Sequence, residues 1–195
     1  MGLITPAPMP PERTRLTLEE FHALRDTRPK EEKWELIDGV PVMMPPPSLV
    51  HQRISNNLQA MLNSRLARAK PEWRADMEVG LLDPKDETYN PEPDVTVIDS
   101  DIELGQIYAE RFYFVAEILS EDKPKVLAAK LRFYQSHVSC FGVIFVRQDC
   151  IEAELHVRSE GWSATLLTRR DQRIVIPVIG DIGKLEDAYR FTPLA

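Results

Sequence analysis

The chain has 195 residues, of which 43% are hydrophobic and 28% are charged, and its formal net charge at pH 7 is −7. This length suffices for one substantial hydrophobic core. An acidic chain repels polyanions, which excludes a general nucleic-acid coat protein but leaves room for an enzyme with a local basic patch.

The two cysteines lack the spacing of a zinc site, and the chain shows neither an export signal nor a run of eighteen apolar residues. We therefore expect reduced cysteines, a cytoplasmic location and no contact with a membrane.

The N-terminal segment differs in composition from the rest of the chain. Residues 1–15 hold four of the sixteen prolines and no hydrophobic period, which predicts a flexible arm ahead of a single domain over residues 16–195. Thr17 and Glu20 then have the spacing of a capping box, so we expect a short helix to begin there.

A hairpin and a long helix are predicted next. Two apolar runs at about residues 33–37 and 40–44 are joined by an Asp-Gly dipeptide, the strongest short-range hairpin signal. Ser48 follows a proline run as a helix cap, and apolar residues recur at helical spacing as far as about Ala69.

The second half of the chain alternates strands and helices. Three strand-like stretches, "WRADMEVGLLD", "EPDVTVID" and "RFYFVAEILS", are predicted to form the centre of a sheet. A second helix in "DKPKVLAAKLRFYQSHV", with Ser120 or Asp122 as its cap and Val138 on its buried side, leads into the apolar strand "CFGVIFV". This order indicates a crossover between parallel strands. We therefore predict an α/β fold with a central mixed sheet, hairpins at its edges and two main covering helices.

Glu117 is the residue that ordinary folding explains least. It lies in an apolar strand-like run, where a carboxylate must be paired if it is buried. Asp94 begins the preceding strand-like stretch. If the two strands are neighbours, both carboxylates lie at one end of the sheet, where they could bind Mg²⁺ through oxygen. The structural alternatives are a buried Glu117–arginine pair and a simple turn role for Asp94.

Lys130 is the third candidate, because it is the one charged residue in the helical stretch "VLAAK". Its ammonium could orient a water or offset charge on a phosphate at the same end of the sheet. The alternative is a solvent-facing lysine. From pattern alone, Glu35 resembles an exposed strand residue, and His51 resembles a hydrogen-bonded packing residue at the start of the long helix.

Several motifs occur in the order found in a known nuclease family. "WELIDGVPVMMPPPSLVHQRI", then "PEPDVTVID", then "AEILSED" before a helix with "KLRFY", resemble the Uma-two family of candidate endonucleases, a branch of the PD-(D/E)XK superfamily. The resemblance extends from about Leu16 to the last strands. It implies a restriction endonuclease-like fold and a Mg²⁺-dependent endonuclease that hydrolyses phosphodiester bonds in DNA. Mn²⁺ could replace Mg²⁺ in such an enzyme.

The resemblance also implies roles for five residues. Asp94 and Glu117 match the metal ligands of the family. Lys130 matches a lysine that replaces the strand lysine of the superfamily. Glu35 matches the glutamate of the family's hairpin, and His51 matches the histidine that follows its proline-rich turn.

The chain departs from the family pattern around the expected site. Leu119 occupies the usual lysine position two residues after Glu117, Ser120 begins "SED" in place of Ser-Pro-Ser-Thr, and Val126 occupies an aspartate position. These changes keep both expected ligands. They leave open a nuclease-like fold that binds nucleic acid or protein without cleaving it.

Basic residues near the expected site are candidates for phosphate contacts. They are Arg53, Lys123, Lys125 and Arg132. A two-fold dimer would suit an enzyme that cuts both strands of DNA.

Overall fold

The computed structural model describes residues 15–120 and 124–195. The expected N-terminal arm, apart from its last residue, and the expected helix cap Asp122 lie outside these ranges. Within them the helices are α1 (Leu18–Asp26), α2 (Leu49–Ala69), α3 (Pro124–Ser136) and α4 (Leu185–Ala188). The strands are β1 (Lys33–Ile37), β2 (Val40–Met44), β3 (Trp73–Asp76), β4 (Gly80–Leu81), β5 (Val95–Asp99), β6 (Tyr108–Ala109), β7 (Phe112–Leu119), β8 (Gly142–Arg147), β9 (Ala153–Val157), β10 (Ala164–Leu167), β11 (Arg173–Ile176) and β12 (Gly180–Lys184).

Six strands form the central sheet in the order β10-β9-β8-β7-β5-β3. β7 and β8 are parallel and joined through α3, and the other neighbouring strands of this sheet are antiparallel. The predicted mixed sheet with a parallel centre is confirmed. The stretch that contains β3 is predicted near the centre, but β3 is an edge strand. There the side-chain amide of Asn63 bonds both backbone polar groups of Ala75.

The predicted hairpin and helix starts are present. Asp38 and Gly39 form the β1–β2 turn at φ values of 53° and 72°, which Asp-Gly tolerates better than most dipeptides. The capping box of α1 is formed. At the start of α2 the Ser48 hydroxyl accepts a hydrogen bond from the His51 N–H. This cap fixes where α2 begins and places His51 in its first turn.

The central sheet is packed on both faces, and each face has its own core. Phe114, Ala116 and Ile118 of β7 belong to the core beneath α2 and α4. Val115 belongs to the opposite core, beneath α3 and the β1–β2 hairpin. Because side chains alternate along a strand, Glu117 points to the α3 face.

The second helix ends earlier than predicted. α3 stops at Ser136, and Val138, predicted on its buried side, is 86% exposed in the turn that follows. The chain must reverse here to enter β8, so the helical period no longer determines which residues are buried. Among the described residues, no helix has the combination of length and apolar character needed to cross a membrane.

Candidate active site

Two carboxylates meet at one end of the central sheet. β5 and β7 are antiparallel and pair Val95 with Ala116, so the start of β5 lies beside the end of β7. Asp94 directly precedes β5, and Glu117 follows Ala116. Both side chains line a cleft of about 70 Å³. The structure therefore brings Asp94 and Glu117 together at the place where the sequence predicts them.

Lys130 reaches this end of the sheet from α3, and its side chain is only 4% exposed. Its Nζ lies 2.7 Å from Glu35 Oε2 and donates to Glu117 Oε1 and Oε2 at 3.1 and 3.3 Å. One helical turn later, the Tyr134 hydroxyl donates to Glu117 Oε1 at 2.5 Å. The solvent-facing interpretation of Lys130 is wrong, and the buried partner of Glu117 is a lysine rather than an arginine.

Glu35 is completely buried at 1% exposure, so its interpretation as an exposed strand residue is also wrong. β1 is covered by α3, and its inward residues therefore meet Lys130 rather than water. A lysine ammonium has three N–H donors. Its contacts with Glu35 Oε2 and with Glu117 Oε1 and Oε2 therefore engage all three donors of Lys130.

His51 reaches the site from α2, on the other face of the sheet. Its Nε2–H donates to Asp94 Oδ1 at 2.7 Å, while the backbone N–H of Ile118 donates to Asp94 Oδ2 at 2.7 Å. The buried Nδ1 of His51 has no hydrogen-bond partner among the described residues. Each oxygen of Asp94 is thus held by a donor from a different element, which fixes the orientation of this carboxylate.

The buried charges shift the pKa values of three neighbouring groups. Burial raises the pKa of Glu35 to about 7, with Glu117 adding to the shift and Lys130 opposing it. Burial alone would lower the pKa of Lys130, but the two carboxylates raise it above its usual value. Burial and the nearby carboxylates raise the pKa of Tyr134 well above its ordinary range. One ammonium therefore does not balance two buried carboxylates.

Sequence reasoning missed three residues at the rim of the cleft and Tyr134, whose buried hydroxyl bonds Glu117. Lys33 Nζ lies 3.3 Å from Glu78 Oε1 and 3.8 Å from Glu92 Oε2, and burial raises the pKa of Glu92. Glu92 lies in the quoted stretch "PEPDVTVID", whereas Lys33 and Glu78 lie outside the quoted motifs. The sequence could have indicated Tyr134 as a site residue, since it follows Lys130 by four residues and so lies on the same helix face.

The donor set fits a hard divalent cation. Within residues 15–120 and 124–195, no three or more His, Cys, Asp or Glu side chains are grouped so as to hold a metal ion. Mg²⁺, however, needs only one or two carboxylates and keeps several waters. Asp94 and Glu117 supply two, and together with ionised Glu35 they leave an excess of negative charge over Lys130. These two carboxylates are the residues that would hold the ion.

The basic residues expected to contact phosphate are dispersed. The Arg53 guanidinium donates to the backbone carbonyl of Phe191. Lys123 lies outside the described residues. Lys125 and Arg132 are exposed on α3 and line a groove between this helix and the β1–β2 hairpin.

Comparisons with known proteins agree with this architecture. A family model described as "Uma2: Putative restriction endonuclease" matches residues 18–177. A crystal structure of "a putative nuclease belonging to DUF820" from Anabaena variabilis superposes with a TM-score of 0.71 at 19% sequence identity, over 89% of this chain and 97% of that chain. No curated protein matches. The predicted nuclease fold is confirmed.

Replacing Tyr134 by phenylalanine removes the hydroxyl that donates to Glu117. Because that bond is buried and its acceptor is charged, we expect Tyr134→Phe to lower the free energy of unfolding by about 1–3 kcal/mol. Urea denaturation measures this. Tyr113→Phe, which loses a hydroxyl bonded to the partly exposed Asp99, is the matched control and should cost less. Equal losses would show that the Glu117 contact has no special strength.

Glu35 should make stability depend on pH. Its folded pKa of about 7 exceeds the ordinary 4.5, so the folded state binds this proton more tightly than the unfolded state does. Stability from this group is complete below about pH 4.5 and is lost as the pH rises through 7. Relative to Glu35→Gln, the wild type should lose up to roughly 3 kcal/mol across this window.

Urea denaturation of the wild type and Glu35→Gln at pH 5 and pH 8 measures this loss. Exposed Glu103→Gln serves as the control, and its difference from the wild type should stay constant with pH. A constant difference for Glu35→Gln as well would contradict the raised pKa.

Proposed function

The chain belongs to the Uma2 family, described as "Putative restriction endonuclease", and from this premise we propose that it is a divalent-metal-dependent endonuclease that hydrolyses phosphodiester bonds in DNA. Family membership supports a nuclease function, and restriction endonuclease-like families generally use divalent ions. One observation on this chain supports the proposal most directly. Asp94 and Glu117 line the same cleft, and Glu117 is bonded to a buried lysine.

Asp94 and Glu117 would hold the cation, with Mg²⁺ as the expected ion and Mn²⁺ as a substitute. The bound ion supplies Lewis-acid activation of the phosphate and of a water. His51 and the Ile118 N–H orient Asp94, and Tyr134 with Lys130 orients Glu117. The ligands are therefore positioned before any substrate arrives, which limits the reorganisation that the reaction requires.

Lys130 would act on the reacting phosphate or its attacking water. It lines a second space of about 70 Å³ beside Glu117, where its ammonium can exchange one carboxylate contact for a phosphate oxygen. Charge builds up on the phosphate oxygens during in-line attack, and an ammonium at this position stabilises it. Glu35 supports this role, because it lines the same cleft as Asp94 and Glu117 and holds Nζ beside it at 2.7 Å.

A second candidate is a nuclease-like fold that binds nucleic acid or protein without cleavage. The observation that favours it is that each oxygen of Asp94 and Glu117 already has a donor from the protein. Titration calorimetry with Mn²⁺ separates the two candidates. Binding that depends on Asp94 favours the enzyme, and no detectable binding favours the module.

Substituting Asp94 tests the enzyme directly. Asp94→Asn keeps an acceptor for the Ile118 N–H but removes the negative charge, so we expect Mn²⁺ binding to weaken at least about tenfold and cleavage to fall at least about 100-fold. Calorimetry and gel assays on plasmid, DNA and RNA oligonucleotides measure the two effects. Asp101→Asn, at an exposed acid outside the cleft, should behave as the wild type. Cleavage that is equal in both variants would refute the assignment.

Lys130→Met separates the role of the lysine from that of the ligands. We expect cleavage to fall about 100-fold while Mn²⁺ binding persists, because the variant removes a cation from the site and no ligand. Two buried carboxylates then lack their counter-charge, at a cost of about 3–5 kcal/mol of stability. The double variant with Glu35→Gln should recover part of that loss. Loss of Mn²⁺ binding in the folded double variant would instead show that Lys130 acts by positioning Glu117.

A further inference from the structure

The cleft at Asp94 continues into a groove on the surface. Met44 and Pro45 line both this cleft and the second space beside Lys130. Val126 lines both that second space and a groove of about 580 Å³ between the β1–β2 hairpin and α3. The shared walls place the cleft, the second space and the groove next to one another, in a series that leads away from the two carboxylates.

The sizes along this path differ in a way that suits a nucleic-acid strand. The cleft and the second space are about 70 Å³ each, while a water in the liquid occupies roughly 30 Å³. At that scale each space holds about two waters or one phosphate group, and neither has room for a sugar and a base. The groove falls within the range of about 300–1,000 Å³ that is typical of small-ligand sites, so it can take the next nucleotide.

The walls of the groove combine apolar and cationic groups. Lys125 and Arg132, both exposed, lie on its α3 side. Its carboxylate, Asp38, is paired with Arg15 at 3.0 Å. The apolar wall includes Ile37, Val40, Val42, Val126, Ala128 and Ala129. A cationic groove with apolar surface is what an unpaired strand requires, since its phosphates need counter-charge and its bases need packing.

Another part of the rim of the cleft has the reverse character. Two carboxylates, Glu78 and Glu92, lie there with one lysine, Lys33, between them. A phosphate backbone would meet net negative charge on that side. The electrostatics therefore favour an exit over α3 rather than over this rim.

We propose that the groove between the β1–β2 hairpin and α3 binds the unpaired DNA strand that continues from the scissile phosphate. Lys125 and Arg132 contact its phosphates, and the apolar wall packs against its bases. The proposal rests on the endonuclease function above and adds to it the path and the single-stranded state of the substrate next to the cut.

The test compares the wild type with the double variant Lys125→Ala/Arg132→Ala. A double variant of two exposed arginines that line none of the three spaces, Arg68→Ala/Arg169→Ala, is the control with the same change of charge. Fluorescence anisotropy with a labelled 12-nucleotide single-stranded DNA in Ca²⁺ measures affinity between 50 and 200 mM salt. Cleavage of the same oligonucleotide in Mn²⁺ measures kcat and KM.

For the groove variant we expect affinity to fall about tenfold or more and the slope of log K against log salt to become shallower by about 1.4, which corresponds to two lost phosphate contacts. KM should rise with kcat within about twofold, because the groove contributes binding and no chemistry. The control should keep the affinity and salt slope of the wild type to within about twofold.

Three results would overturn the proposal. If the wild type cleaves but the groove variant matches the control, the groove is not the path and the endonuclease function still stands. If the wild type neither binds nor cleaves DNA with any divalent ion, both proposals fail together. If light scattering shows that the groove substitutions change the oligomeric state while DNA binding is unchanged, the groove is an interface between copies of the chain.

Discussion

The ammonium of Lys130, buried between the carboxylates of Glu35 and Glu117, is the interaction on which the rest of the site depends. It joins β1, β7 and α3, which come from separate parts of the chain. Removing one partner of a buried ion pair leaves an uncompensated charge, which costs about 3–5 kcal/mol. The hairpin, the strand and the helix therefore cannot move apart without leaving a buried charge unpaired. The contact that holds the hairpin against α3 also sets the geometry of the cleft.

The same contact leaves negative charge at the site unbalanced. Lys130 balances one of its two carboxylates, and the raised pKa of Glu35 reflects the other. Asp94 adds a further carboxylate, fixed by His51 and by the Ile118 N–H. The ionised site thus lacks positive charge by an amount that suits a divalent ion, and its donors are the oxygens that Mg²⁺ prefers. Charge balance and donor chemistry therefore both support the divalent cation that we propose for this site.

Local sequence is enough to predict the elements that position the site. The Asp-Gly turn and the Ser48 cap work through contacts within a few residues, so the hairpin and the start of α2 follow from them. The burial of Glu35 and Lys130 does not follow in this way. The alternation around Glu35 is the same whether water or a helix covers the strand, and only the packing of α3 over β1 decides between them. The resemblance to a family singled out Glu35, which the alternation could not, and it strengthened the case for Lys130, which the pattern had already made a candidate.

The position of Lys130 also shows why a lysine is not needed on the strand itself. In a strand, residues i and i+2 share a face, so Leu119 points to the same side as Glu117 and would be the direct place for a lysine. α3, however, is the crossover that returns over this face to start the parallel strand β8, and it must pass above Glu117. A side chain long enough to reach down from the helix delivers the same ammonium to the same carboxylate. Leu119 can then remain apolar. It lines the second space together with Val126 and Leu127, next to the groove that leads away from the site.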